Sequence, residues 1–229
     1  DFISYPYELS FHYLKKSALF HLDLQLFCIE QNIVLKDASP YNVQFVNNKP
    51  KFIDILSYKL HKKGEYWDAY KQFCEQYLAP LFIYSKLNIP YFKWYKGSSN
   101  GLEINEVNKL LKFKDKLSLN TFLTFILPSL FQSKNSNYDI NKIRNLKRKN
   151  FPKESYIFLL RRLKNWIETF NIKKTKTVWS NYVHLNSYEE KEQNDKKLFI
   201  SDYLKKKKPK NILDLGCNTG FYSNFCIEE

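Results

Sequence analysis

The chain has 229 residues, of which 44% are apolar and 17% aromatic, and only 5 are glycine; this is enough for a packed core and excludes disordered or fibrous classes. Its 37 basic and 23 acidic residues leave a formal charge of +14, but the lysines are dispersed among Asn and Ile, so compositional bias is favoured over a nucleic-acid footprint. The 4 cysteines form no C-x-x-C pair and the 4 histidines no H-x-x-x-H, which argues against a zinc site or a disulfide framework and makes a reducing cytoplasm the default location.

Taken in chain order, Leu14, Ala18, Leu22, Leu26 and Ile29 recur at helical spacing and predict a helix from Phe11 to Gln31. A polar loop, KDASPYN, follows. Next comes VQFV-NNKP-KFIDI, whose Asn/Pro-rich centre predicts a hairpin turning at Asn47 to Pro50. A second helical pattern runs from Asp68 through Tyr70, Phe73, Cys74, Tyr77 and Leu81, with Pro80 expected to kink or interrupt it. FLTFILPSLF, Phe122 to Phe131, is the longest strongly apolar run; it is too short to span a bilayer. Ser133 to Asn150 is polar, basic and without period, and reads as a connector. After Pro152, one stripe carries Tyr156, Leu159, Leu160, Leu163, Trp166, Ile167 and Phe170, an amphipathic helix. Ser187-x-x-Glu190 fits a capping box opening a helix to about Leu204. The run KKKKPK, read as a solvated connection, then feeds a strand from Asn211 to Leu215.

That strand leads into Asp214-Leu-Gly216-Cys217-Asn218-Thr-Gly220 and a helix near Phe221, the context a glycine motif needs. Gly216 lacks a Cβ, so a ligand can approach the backbone there, and Gly220 lets strand and helix pack closely. Free amides at the helix start attract a carboxylate or phosphate, and Asp214 can accept from an ammonium or hydroxyl group. An ordinary strand-to-helix turn of any α/β protein has the same outline. ILDLGCNTG resembles motif I of class I S-adenosylmethionine-dependent methyltransferases, with Asn218 in place of the middle glycine of D-x-G-x-G-x-G. The resemblance implies that Asp214, Gly216, Cys217, Asn218 and Gly220 surround the methionine end of S-adenosyl-L-methionine. Upstream, VWSNYVHLNSYEEKE resembles the segment covering the cofactor cleft of such enzymes. Trp179, Tyr182 and Tyr188 are then either part of a lid or packed against the sheet edge.

LKDASPYNVQF carries a second constellation. Asp37-x-x-x-x-Asn42 has the spacing of the protein-kinase catalytic loop, and Asp54 in FIDILS follows at the distance of the metal-binding Asp. A turn at Asn47 to Pro50 sets Asp54 across from Val43, about 5 Å away and one position from Asn42. In a phosphotransferase Asp37 accepts the hydroxyl proton while Asn42 and Asp54 hold Mg²⁺ on the phosphates of ATP. Lys36 replaces the usual Arg, however, and Asp54-Ile-Leu replaces Asp-Phe-Gly, so the resemblance is incomplete.

FISYPYE, LKDASPYNVQF, FIDILSY, YKQFCEQYLAP and LDLGCNTG together resemble class I methyltransferases related to nodulation host-specificity proteins, in which a kinase-like region precedes the methyltransferase domain. The implied fold is mixed α/β and helix-rich. A kinase-like region spans 1–132, a helical connector 133–175, and the start of a Rossmann-like methyltransferase domain 176–229. With no methionine and Asp1 first, the chain reads as an internal segment of a longer, cytoplasmic enzyme. Its methyl acceptor is expected to be a small molecule or carbohydrate, with no membrane span. A kinase-like phosphotransferase and a non-catalytic scaffold presenting the acceptor are the competing readings.

Overall fold

The computed structural model describes residues 3–128, 151–173 and 190–229. It is helix-rich with few short strands, in line with a mixed α/β chain, and divides into two compact units, Asp1–Lys173 and Lys174–Glu229.

In the first unit α1 (Phe11–Glu30) is the central element. Ser10 caps it by accepting from the Tyr13 amide, and Asn32, left-handed at φ 56°, turns the chain out of it. Two adjacent rows of its surface are buried. One is apolar, with Leu14, Ala18 and Leu22; the other is polar, with Ser17, His21 and Gln25. Each buried polar group needs a partner, and Gln25 finds two. Its Oε1 accepts the Leu35 amide at 2.8 Å and its Nε2 donates to the Tyr156 hydroxyl at 2.6 Å. One side chain thereby ties α1 to β1 (Ile33–Leu35) and to a helix more than a hundred residues downstream.

The predicted hairpin forms between β2 (Val43–Val46) and β3 (Lys49–Phe52), antiparallel, with Val43 opposite Phe52 and Val46 opposite Lys49. Its turn is tighter than the sequence suggested. Asn47 and Asn48 alone make it, at φ 50° and 61°, the two left-handed positions that match strand twist. Pro50 consequently lies within β3, and Phe52 rather than Asp54 faces Val43. A second antiparallel pair joins β1 to β4 (Tyr58–Leu60), with Leu35 opposite Tyr58.

The expected interruption at Pro80 takes a specific form. The helix α2 (Tyr70–Phe73) widens into a π-helical turn, Cys74–Leu78, and resumes as α3 (Ala79–Leu87). Pro80 has no N–H, and in α geometry its ring would press on the carbonyl four residues back. The wider turn, closed by Ala79 N–H to the Cys74 carbonyl, relieves that contact and frees the Glu75 carbonyl, which accepts the Leu102 amide at 2.9 Å.

Short helices α4 (Phe92–Gly97), α5 (Ile104–Leu110), α6 (Phe113–Lys116) and α7 (Leu119–Thr121) follow, the last running into a π turn at Phe122–Ile126. The predicted amphipathic helix, α8 (Lys153–Glu168), packs on α1 and buries Tyr156, Leu160, Leu163, Trp166 and Ile167. Phe82, Phe125, Trp166 and Phe170 form one aromatic cluster, with ring centroids 5.3–5.9 Å apart. Lys15 Nζ donates to the carbonyls of Glu168 and Phe170, both at 2.8 Å, a cation at the end of the helix where the dipole favours it.

The second unit shows α9 (Glu190–Lys207) and α10 (Phe221–Glu228). The expected strand from Asn211 to Leu215 is not formed. Leu213 and Leu215 are 82% and 83% exposed, and no neighbouring strand among the described residues satisfies their backbone groups. The connector Ser133 to Asn150, the capping Ser187, and Trp179, Tyr182 and Tyr188 lie outside the described residues.

Candidate functional sites

Two places collect the residues singled out by sequence. In the first unit, the loop between β1 and β2 is fastened at both ends to the turn that follows β3. The Lys36 amide donates to the Ser57 carbonyl at 2.9 Å, and the Ile53 amide to the Asn42 carbonyl at 2.9 Å. Asp37, Asn42 and Asp54 are therefore carried on one connected patch. Asn42 Nδ2 donates to Asp54 Oδ2 at 3.3 Å. Asp54 also caps the turn Ile55–Ser57, accepting from the Leu56 amide at 3.0 Å and from the Ser57 hydroxyl. Asp37 Oδ1 accepts the Ser39 amide at 2.7 Å, which sets the turn that leads to Asn42. Among the described residues no group of three or more His, Cys, Asp or Glu is arranged to hold a metal ion, so Asn42 and Asp54 stand as a two-residue pair.

Gln72, which sequence reasoning passed over, holds the middle of the loop: its Oε1 accepts the Ala38 amide at 2.9 Å. Behind the loop, Tyr77 is fully buried with its hydroxyl 2.8 Å from Ser17, and burial raises its phenol, with the nearby Asp37 charge adding to the shift. A Gln or Ser lying on the apolar stripe of a helix is the signal that announces such partners. Ser17 and Gln25 on α1 carried it.

In the second unit, the segment from Asp214 to Gly220 makes an open turn. Gly216, Asn218 and Gly220 have φ of 76°, 49° and 76°. Asn218 thus adopts the left-handed conformation that a glycine would take without strain. The Gly220 amide donates to the Cys217 carbonyl at 2.8 Å, and Gly220 forms the entry to α10 with no side chain capping the helix. A Cβ built on Gly216 or Gly220 would meet nothing within 4 Å, so the backbone here faces free space. Asp214 Oδ2 accepts from the Ser223 hydroxyl at 2.7 Å, which orients the carboxylate beside the turn. Cys217 is exposed and unpaired in any disulfide. An apolar pocket of about 410 Å³, lined in part by Tyr203, Leu204, Ile212, Leu213 and Ser223, adjoins Asp214. These features fit the amino-acid end of S-adenosylmethionine: open amides at a helix start and a carboxylate set beside them.

No helix among the described residues is long and apolar enough to cross a membrane. No family model matches the chain, and no solved structure matches it. It is 38% identical over 227 residues to nodulation protein NoeA of Rhizobium meliloti (strain 1021). That match takes in 99% of this chain and 48% of that protein, so the chain spans about half the length of the relative. The chain is thereby related to a nodulation protein.

Proposed function

We propose that the chain contributes the cofactor loop of an S-adenosylmethionine-dependent methyltransferase. The observation that carries this reading is the turn from Gly216 to Gly220, with three left-handed positions and open space over both glycines. When bound, the cofactor supplies a methyl group on a sulfonium centre, ready for in-line displacement by a nucleophile. The chain's own part is to bind and orient. Amides at the start of α10 receive the carboxylate of the amino-acid portion, and Asp214, held by Ser223, accepts from its ammonium group. Calorimetric titration of the intact protein with S-adenosylmethionine tests the reading. Saturable binding is expected, and Gly216→Val should abolish it, because a branched side chain at φ 76° forces the turn to move. Undiminished binding in that variant, with the fold retained, refutes the assignment.

The first unit supports a second reading, a kinase-like scaffold that presents the acceptor. Asp54 is already engaged by Asn42, Ser57 and the Leu56 amide, so Mg-ATP bound through Asn42 and Asp54 would compete with donors that organise the turn. Titration with Mg-ATP separates scaffold from phosphotransferase. Binding that disappears in Asp54→Ala would support the latter, in which Asp37 serves as the base.

A further inference from the structure

The π-helical turn before Pro80 does more than accommodate the proline: beside it lies a polar pocket of about 610 Å³. Gln76, on that turn, lines the pocket while being only 7% exposed. Its Nε2 donates to the Ser99 carbonyl at 3.3 Å. This contact fixes the orientation of the amide, since the reverse setting would place two oxygens against each other. The Oε1 is thus an acceptor, and it receives no hydrogen bond from the protein. A buried acceptor left in that state is destabilising, and a ligand donor would remove that cost.

The neighbouring walls also offer acceptors. Glu75 and Glu103 both line the pocket. Burial holds the Glu75 carboxyl above the ordinary carboxylate range; Lys71 and the Ile104 amide, which donates to Glu75 Oε1 at 3.5 Å, oppose that shift, and the Glu103 charge adds to it. Lys71 sits 3.7 Å from Glu75 with 62% of its side chain exposed, a rim contact of small strength. Asp68, on the same lining, is already paired with Lys59 at 2.6 Å. In a chain of charge +14, this pocket therefore gathers Glu75, Glu103 and an unpaired amide oxygen, besides the paired Asp68, against one exposed ammonium. Its shape is also fixed. Gly101, at φ +79°, lies so close to the freed Glu75 carbonyl that a Cβ there would come within 2.4 Å of it, and the Leu102 amide bonds that same oxygen.

We propose that this pocket binds a small ligand through a primary ammonium group that donates to Gln76 Oε1, Glu75 and Glu103. An ammonium brings three donors and a positive charge, whereas a hydroxyl brings one donor and cannot offset the two carboxylates. Gln72 lines the pocket as well and holds the Ala38 amide, so the ligand would bind beside the loop bearing Asp37. The inference does not depend on the cofactor turn in the second unit.

The probe is 1,4-diaminobutane, titrated calorimetrically into the full chain at physiological ionic strength, with 1,4-butanediol as its neutral counterpart. Saturable one-site binding of the diamine is expected, with no binding of the diol. Glu103→Gln, at an exposed position, and Gln76→Leu should each weaken the diamine tenfold or more, with circular dichroism confirming the fold of each variant. Should Gln76→Leu fail to fold, Glu103→Gln alone decides. Absence of saturable binding, unchanged affinity in Glu103→Gln, or a diol that binds as tightly as the diamine would each overturn the proposal.

Discussion

His21 sits fully buried among Phe52, Trp67, Phe73 and Tyr77, with ring centroids 5.9–6.1 Å away, and neither ring nitrogen has a hydrogen-bond partner. Burial pushes its pKa down to about 3 from an ordinary 6.5. The folded chain therefore keeps this imidazole neutral where the unfolded chain would protonate it. Its contribution to stability is complete above about pH 6.5 and is lost as pH falls toward 3, at about 1.4 kcal/mol per pH unit in between. Lowering the pH from 6.5 to 5 should then cost about 2 kcal/mol through this residue. Urea unfolding at the two pH values should show that loss in the natural chain, and His21→Phe should be free of this part of it. Equal pH dependence in both chains would show that the site opens to water. Gly101 gives a second test at the same scale. Its left-handed φ and the 2.4 Å approach to the Glu75 carbonyl leave no room for a methyl group. Gly101→Ala should lower stability by about 2 kcal/mol or more, read as a fall in Tm.

Among the elements, α1 and α8 meet through a seam with a polar pin. Gln25 satisfies the Leu35 amide and the Tyr156 hydroxyl at once, so Gln25→Leu would strand two buried groups while keeping most of the side-chain volume. A loss of about 2–4 kcal/mol is expected, and hydrogen exchange should show earlier opening at the Leu35 amide of β1 than at the amides of α1. A loss below about 0.5 kcal/mol would show that water replaces the glutamine. The π turn at Cys74–Leu78 illustrates how one residue type acts at this scale. Pro80 removes a donor, the helix widens, and the carbonyl so released docks the segment at Leu102.

Among the described residues, the buried apolar core, from Phe11 to Phe170, lies within the first unit. Among the described residues of the second unit no apolar side chain is buried; only Ser201 is. A chain ending at Lys173 should therefore unfold cooperatively, with a Tm within a few degrees of the longer chain. A broad, non-cooperative melt would mean that the core depends on residues beyond Lys173.

The periodicity of Leu14, Ala18, Leu22 and Ile29, and of Leu160, Leu163 and Ile167, was sufficient to place α1 and α8, because a helix's buried stripe is written at a local spacing. The same holds for the glycines near Asp214, where local φ preferences decide, whereas the Asn/Pro-rich stretch announced a hairpin but not its two-residue turn. Register and partnership were not local. The tight turn moved Asp54 out of register with Val43 and onto Asn42, which could be known only once Asn47 and Asn48 both turned left-handed. The stretch from Asn211 to Leu215 has the composition of a strand yet forms none, because strand hydrogen bonds need a second segment. Gln72 on Ala38 and Gln25 on Tyr156 likewise join residues far apart in sequence. Sequence by itself determined the helices, whose buried stripes are written at a local spacing; tertiary structure decided whether an apolar run became a strand and which polar groups met, because hydrogen bonds and charge pairs act over a few ångströms of space, whatever the distance along the chain.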